Sequence, residues 1–247
     1  MIYGMNPVLI AAAVIPAIFL LKRVNKLDKL DKESPKLLLR LVIMGIISTL
    51  IALVAEEIGT RVLGLFFTQE TILYDFIMYF IVVACSEEIA KYIVLKKVTW
   101  KNPEFNCTFD GVVYAVFVSL GFALWENIGY VGMYGFEVAL ARAITAIPGH
   151  ASFGVFMGVF YGLAKKYEAN GMPKRSKSFR NMAYIIPVLL HGSYDFLATL
   201  DFAISNMIFI AFVGALFLFA FITVKKMSKD DEFFKKDDTY FIPFHWQ

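Results

Sequence analysis

The chain has 247 residues and carries 24 Lys and Arg against 21 Asp and Glu; 59% of its residues are apolar and 18% charged. A soluble domain holds about 45–50% apolar and about 25% charged residues, so the surplus has no interior to hide in and must face lipid. The same balance excludes intrinsic disorder, collagen and a disulfide scaffold, and a net charge of +3 gives no support to a nucleic-acid binder.

A hydrocarbon core about 30 Å thick takes about 20 apolar residues of helix. Hydropathy predicts seven such spans, at about 3–21, 37–55, 71–95, 109–134, 136–164, 182–200 and 203–224. The first has no basic region ahead of it and is followed by Lys22 and Arg23, so it reads as a retained span and not a secretory signal. The fourth and fifth are separated only by Gly132-Met133-Tyr134-Gly135, which reads as a tight hairpin. In the fifth, Gly154, Gly158 and Gly162 recur every four residues, a spacing that lets helix backbones approach closely in lipid. Cys85, in an apolar run, and Cys107, in a polar loop, form neither a disulfide framework nor a metal knuckle.

Basic loops stay in the cytoplasm. Segments 22–36 and 165–181 hold six Lys or Arg each, 96–108 holds three and the stretch after Val224 holds five; 56–70 has Arg61 alone and 200–202 none. The fold class is therefore all-α: a polytopic transmembrane helical bundle of about seven spans in the cell membrane, N-terminus outside and C-terminus cytoplasmic. Residues 1–224 make the membrane-embedded domain, with its motif-bearing core at 71–200. Residues 225–247 make a charged cytoplasmic tail, solvated or lying on the surface.

The chemistry is in residues that do not belong in hydrocarbon. The third span reads Cys85-Ser86-Glu87-Glu88-Ile89-Ala90-Lys91, the fourth carries Trp125-Glu126-Asn127, the fifth Arg142 and His150, and the sixth His191-Gly192-Ser193-Tyr194-Asp195. Five of these charges (Glu87, Glu88, Lys91, Glu126, Asp195) would cost on the order of 12–18 kcal/mol if each faced lipid alone, so they must converge on one another or on a wet cavity. Lys91 lies four residues from Glu87 and three from Glu88, within reach of either carboxylate. Adjacent Glu87 and Glu88 are about 100° apart on the helix; one can face the cavity while the other holds Lys91. Asp195 follows His191 by one turn and can aim its imidazole. Pro148 and Pro187 sit close to the two histidines and favour kinks there. Each feature alone has a plain structural reading: a Glu–Lys clamp, a packed histidine, Arg142 paired with Glu137 or Glu126, and Asp75, Asp110, Glu137 and Glu168 solvated at span ends. Four consecutive spans supplying acid–base or metal-binding groups weigh against that reading for the whole set.

In order along the chain, Glu87-Glu88-x-x-Lys91, Phe122-x-x-x-Glu126-Asn127, His150 and His191-x-x-x-Asp195 resemble the PrsW intramembrane proteases, distant relatives of the CAAX prenyl endopeptidases and the Abi bacteriocin-immunity proteins. The resemblance covers about residues 71–200. It implies an endopeptidase that cuts a membrane-anchored protein at or in the bilayer, in bacteria an anti-sigma factor during envelope stress. By position it gives Glu87, Glu88, Glu126 and His191 the essential roles. The CAAX enzymes carry His where this chain has Glu126, and Arg where it has Lys91. That difference favours the PrsW branch and argues against prenylated substrates.

No serine or cysteine has a neighbouring base, so the nucleophile is expected to be water. Glu87 or Glu88 would be its general base beside Lys91; His191, aimed by Asp195, would stabilise the oxyanion or donate to the amine, and Asn127 would add a neutral donor. The competing arrangement uses zinc, held by Glu126, His150, His191 and one of the paired glutamates; no His-Glu-x-x-His helix is present, so it depends on tertiary convergence. A transporter or channel also places charges at mid-membrane, and a non-catalytic immunity or scaffold protein on the same fold would leave the glutamates dispensable. Depth is a further demand. From the cytoplasmic ends of the expected spans, Glu88, His191, His150 and Glu126 lie about 10, 14, 21 and 25 Å deep, so one site requires tilt, kinks or shifted span ends.

Overall fold

A computed structural model describes residues 7–68 and 71–234, and its regular structure is helical throughout. The helices are α1 (Pro7–Leu27), α2 (Pro35–Gly64), α3 (Ile72–Ile77), α4 (Cys85–Thr99), α5 (Asp110–Tyr134), α6 (Phe136–Ile144), α7 (Ala146–Ala169), α8 (Pro173–Thr199) and α9 (Ser205–Lys229). A π-helical stretch, Met78–Ala84, joins α3 to α4 in one continuous rod. Helix thus covers each expected apolar stretch from Pro7 onward; residues 3–6 of the first lie outside the described residues. Five segments are long and apolar enough to cross a membrane: α1, α2, α5, 136–169 and α9. The rods 72–99 and α8 are the two that carry Glu87, Glu88 and Lys91, and His191 and Asp195.

α5 is the hub. It packs on α7, α2, α1 and α4, and its residues Asp110 through Ala123 are all buried. A helix enclosed on every side needs small residues where backbones touch. A methyl group on Gly158 would stand 2.4 Å from Val112 Cα, and one on Gly162 2.2 Å from the Thr108 carbonyl oxygen, so α5 and α7 meet backbone to backbone. The outer helices keep their apolar side chains on the outside: Leu39, Leu50, Val54 and Val62 of α2, and Met207, Ile210 and Phe219 of α9, are each at least half exposed. This is the surplus that the composition assigns to lipid.

Sequence and structure part at several places. The fifth expected span is two helices. Pro148 has no N–H for the Ile144 carbonyl and its ring crowds that oxygen, and the helix breaks at Thr145 (φ −120°, ψ −69°). The turn before it centres on Gly135, whose φ of +84° favours glycine. α8 starts at Pro173, well before the expected residue 182, because Pro at the first position suits a helix start and Lys174, Arg175, Lys177 and Arg180 are good helix formers though not apolar. α2 likewise runs on to Gly64.

The connections rich in Lys and Arg gather at one end of the bundle. Ser34 N–H donates to Glu104 (2.8 Å), Asn106 to Asp31 (2.8 Å), Phe109 N–H to Asp231 (2.8 Å), Lys165 to the Trp100 carbonyl (2.7 Å), and Lys166 pairs with Glu232. Asp110, expected to be solvated, is fully buried and accepts the N–H groups of Asn106 and Cys107 at 2.9 and 2.7 Å. The first part of the expected tail is built into this end: α9 continues to Lys229, and Phe234 N–H donates to the Asn106 carbonyl at 2.9 Å. Residues 235–247 of that tail lie outside the described residues. Burial raises the Asp28 carboxyl to about 6, with the Asp231 charge adding to it, and raises Glu33 to about 7.

Candidate active site

The π-helical stretch ends at Ala84, three residues before Glu87. Its wider winding turns Glu87, Glu88 and Lys91 of α4 inward, where all three are buried. The Lys91 ammonium contacts Glu87 Oε2 at 3.0 Å and Glu88 Oε1 at 2.7 Å together, and stands 4.0 Å from the centre of the Phe122 ring. A charge this deep is tolerable only with such partners. The two glutamates then differ. Glu87 borders a cavity, whereas Glu88 is fully buried behind it, and its Oε2 has no hydrogen-bond partner.

Three other helices close on this pair. His191 of α8 faces Glu88 through Nδ1 (2.9 Å) and Asp195 through Nε2 (3.2 Å), with the Phe153 ring stacked on it at 4.7 Å. The Cβ that Gly192 lacks would fall 2.5 Å from the Phe80 ring, so the π stretch and α8 touch beside the histidine. His150 of α7 faces Lys91 Nζ through Nδ1 (3.1 Å) and Glu126 of α5 through Nε2 (2.8 Å). The His150 and His191 ring centres are 5.3 Å apart. Arg142 of α6 pairs with Glu126 at 3.0 Å and lies 3.9 Å from the Tyr130 ring centre. These groups surround a cavity of about 390 Å³ that reaches Met133, one residue before the end of α5 and at the opposite end from the basic connections.

Glu87, Glu88, Lys91, Glu126, His150, His191 and Asp195 therefore converge, and Asn127 does not join them. Its amide nitrogen donates to the Ala13 carbonyl of α1 (2.9 Å) and its oxygen accepts from Arg142 Nε (3.0 Å), so the side chain is turned to α1 and α6. The adjacent position on a helix points about 100° away, and Glu126 already claims the cavity side. Arg142 pairs with Glu126 and Asn127, whereas Glu137 is exposed.

The depth demand is met by the span ends. Measured from the observed helix ends, Glu126, His191 and His150 lie about 24, 27 and 29 Å in. Glu88 lies about 17 Å from the end of α4, because the chain beyond Thr99 does not exit there. It continues as a loop whose Trp100, Phe105 and Phe109 are buried beneath the bundle.

The sequence reading also missed Glu56. The expected second span ends at residue 55, but α2 carries Glu56 to the cavity wall with Tyr79, Tyr130 and Tyr194. The available signal was apolar spacing that continues past it through Ile58, Val62 and Leu63.

Glu87, Glu88, His150 and His191 each offer one ligand atom within 4.8 Å of the others. Two imidazoles and two carboxylates are a nitrogen and oxygen set suited to zinc, and the unpartnered Glu88 Oε2 fits it too. Glu126, expected as a ligand, is outside this group; it holds His150 by the other ring nitrogen, the usual place for a carboxylate that orients a ligating imidazole. Lys91 Nζ stands among the same atoms and is the positive charge they share.

The model of the PrsW family of intramembrane metalloproteases matches residues 33–224. The protease PrsW of Oceanobacillus iheyensis is 32% identical over 223 residues, covering 90% of this chain and 97% of the relative. That of Bacillus subtilis is 32% identical over 219 residues (86% and 91%), and that of Clostridioides difficile 27% over 205 (81% and 83%). No solved structure matches.

Proposed function

The chain belongs to the PrsW family of intramembrane proteases, and on that footing we propose that it hydrolyses a peptide bond in a membrane-anchored protein with water activated by Glu87. The observation that carries this reading is the cavity itself: carboxylates and imidazoles from α4, α5, α7 and α8 meet around a space large enough for water and an extended backbone, inside a bundle whose exterior is apolar.

Of the paired glutamates, Glu87 is the one that cavity water reaches first. It takes a proton from water as the oxygen attacks the scissile carbonyl, and returns it to the leaving amine as the C–N bond breaks. His191 gives up the longer of its two contacts, Nε2 to Asp195 at 3.2 Å, to hydrogen-bond to the developing oxyanion while Glu88 holds its Nδ1, and Glu126 holds His150 beside it. Lys91 offsets the repulsion between the glutamates and fixes their rotamers. A divalent ion, as the family's description implies, would be held by Glu87, Glu88, His150 and His191; it would supply a Lewis acid for the carbonyl and lower the pKa of bound water.

We further propose seven crossings, with the basic end in the cytoplasm and the N-terminus outside. In that orientation the site lies toward the outer face, so the cut falls near the outer boundary of the substrate's span. An anti-sigma factor with one span is the substrate that the resemblance suggests.

The test is cleavage of a single-span substrate by purified protein in liposomes, with Glu87→Gln and Glu88→Gln compared one at a time. Loss of cleavage with Glu87→Gln, in protein that still melts cooperatively, supports the assignment; full cleavage by that variant overturns it. Metal analysis of the active, chelator-treated protein decides whether an ion takes part.

A further inference from the structure

A second cavity, of about 220 Å³, lies on the outside of the bundle, away from the catalytic groups. α1 and α9 form its walls, with Leu20 and Val24 on one side and Phe217 and Phe221 on the other, and Ala151 and Val155 of α7 form part of its floor. At the basic end the walls are tied together where Ser228 Oγ donates to the Leu27 carbonyl. Just above that tie stand the two cations of the lining, Arg23 and Lys225, each one turn from the end of its helix and each exposed. Neither has a carboxylate partner among the described residues, and the Lys225 ammonium is held over the Phe221 ring at 4.1 Å.

We infer that this groove binds an anionic glycerophospholipid, with one acyl chain between α1 and α9 and its phosphate between Arg23 and Lys225. In a bilayer the groove meets hydrocarbon, so its occupant is an apolar chain. Two cations without a carboxylate partner among the described residues, at the depth of the head groups, select a chain that carries negative charge. A helix from a second copy or another protein would have to bring its own carboxylates to both cations, whereas the bilayer itself supplies an anionic head group at that depth. The floor gives the site a bearing on the enzyme: Pro148 and Ser152 lie two residues on either side of His150, on the other face of α7.

The inference is tested by lipid binding, which is independent of proteolysis. Purified full-length protein in micelles is titrated with phosphatidylglycerol and with phosphatidylcholine, and bound lipid is counted by native mass spectrometry. Wild type is expected to retain phosphatidylglycerol at least about tenfold better, a preference that Arg23→Gln with Lys225→Gln removes. Ala220→Trp, which fills the groove, is expected to displace both lipids. Lys22→Gln with Lys226→Gln, equally cationic neighbours outside the lining, is expected to change nothing. The inference is overturned by equal retention of the two lipids, by a Lys22/Lys226 pair as damaging as the Arg23/Lys225 pair, by inorganic phosphate competing as well as the lipid, or by a dimer that the Ala220→Trp substitution dissolves.

Discussion

α5 and α7 run side by side for most of their length, yet their two halves do opposite things. From Thr108 to Ser119 they are pressed together over Gly154, Gly158 and Gly162, with no room for a methyl group. One turn beyond Gly154 the same pair opens, and Glu126 and His150 face each other at 2.8 Å across the edge of the cavity. The closed half fixes where the open half begins. Charges that are expensive in a membrane can be placed accurately because the helices carrying them are clamped a few residues away.

Substitutions can set the two halves against each other. The largest effect is expected in the open half: Glu87→Gln lowers the cleavage rate by about 10²–10⁴ fold, the usual worth of a general base, and leaves the melting temperature nearly unchanged. In the closed half, Gly158→Ala forces backbones apart and is expected to cost about 1–3 kcal/mol, read as a lower melting temperature in detergent. Gly129→Ala on the cavity stretch of α5, the helix that Gly158 packs against, where a methyl group meets nothing within 4 Å, is its control and should not lower the melt. Equal losses from the two glycines would break the comparison.

Asn127→Ala sharpens it. This side chain is in the open half by position but bonds to α1 and Arg142, so the expected loss is about 1–3 kcal/mol of stability, with the activity of the folded fraction kept within a few-fold. The smallest effect belongs to the basic end. Burial holds Asp28 near 6 and Glu33 near 7, so the folded chain keeps protons that the unfolded chain has already released. The stability contributed by these two protons is full below about pH 4 and is lost as pH rises through about 6 and 7. Asp28→Asn with Glu33→Gln should raise the melting temperature at pH 8, leave it unchanged at pH 4, and flatten the slope between.

The apolar rods and the convergence of their charged residues were legible in the sequence because lipid makes an isolated charge so costly that Glu87, Lys91 and His191 had to find partners. What stayed hidden depends on which way a helix is turned and where it stops. Lys174 to Arg180 are too polar to extend an apolar run although α8 winds through them, and Glu56 interrupts the apolar run of α2 in the same way. Pro148 was visible, but the break it causes falls at Thr145, and the apolar run gives no sign of it. Asn127 could be placed beside Glu126, but its direction follows only from knowing that α1 stands behind it. The PrsW motifs identified the protease and supplied the ordered set of groups. They did not separate Glu87, which borders the cavity, from Glu88, which is sealed behind it.

The π-helical stretch carries one more implication. Winding with a wider repeat over Met78–Ala84 sets everything after it back by about one residue's rotation, roughly 100°. Tightening that stretch to ordinary pitch at the same chain length would swing the glutamate pair off its bearing, whereas deleting one amino acid together with the wide turn would restore it, with every motif still legible in the gene. The catalytic register of this family member is thus stored in a spare residue of unremarkable apolar sequence, where a comparison of motifs alone would never look for it.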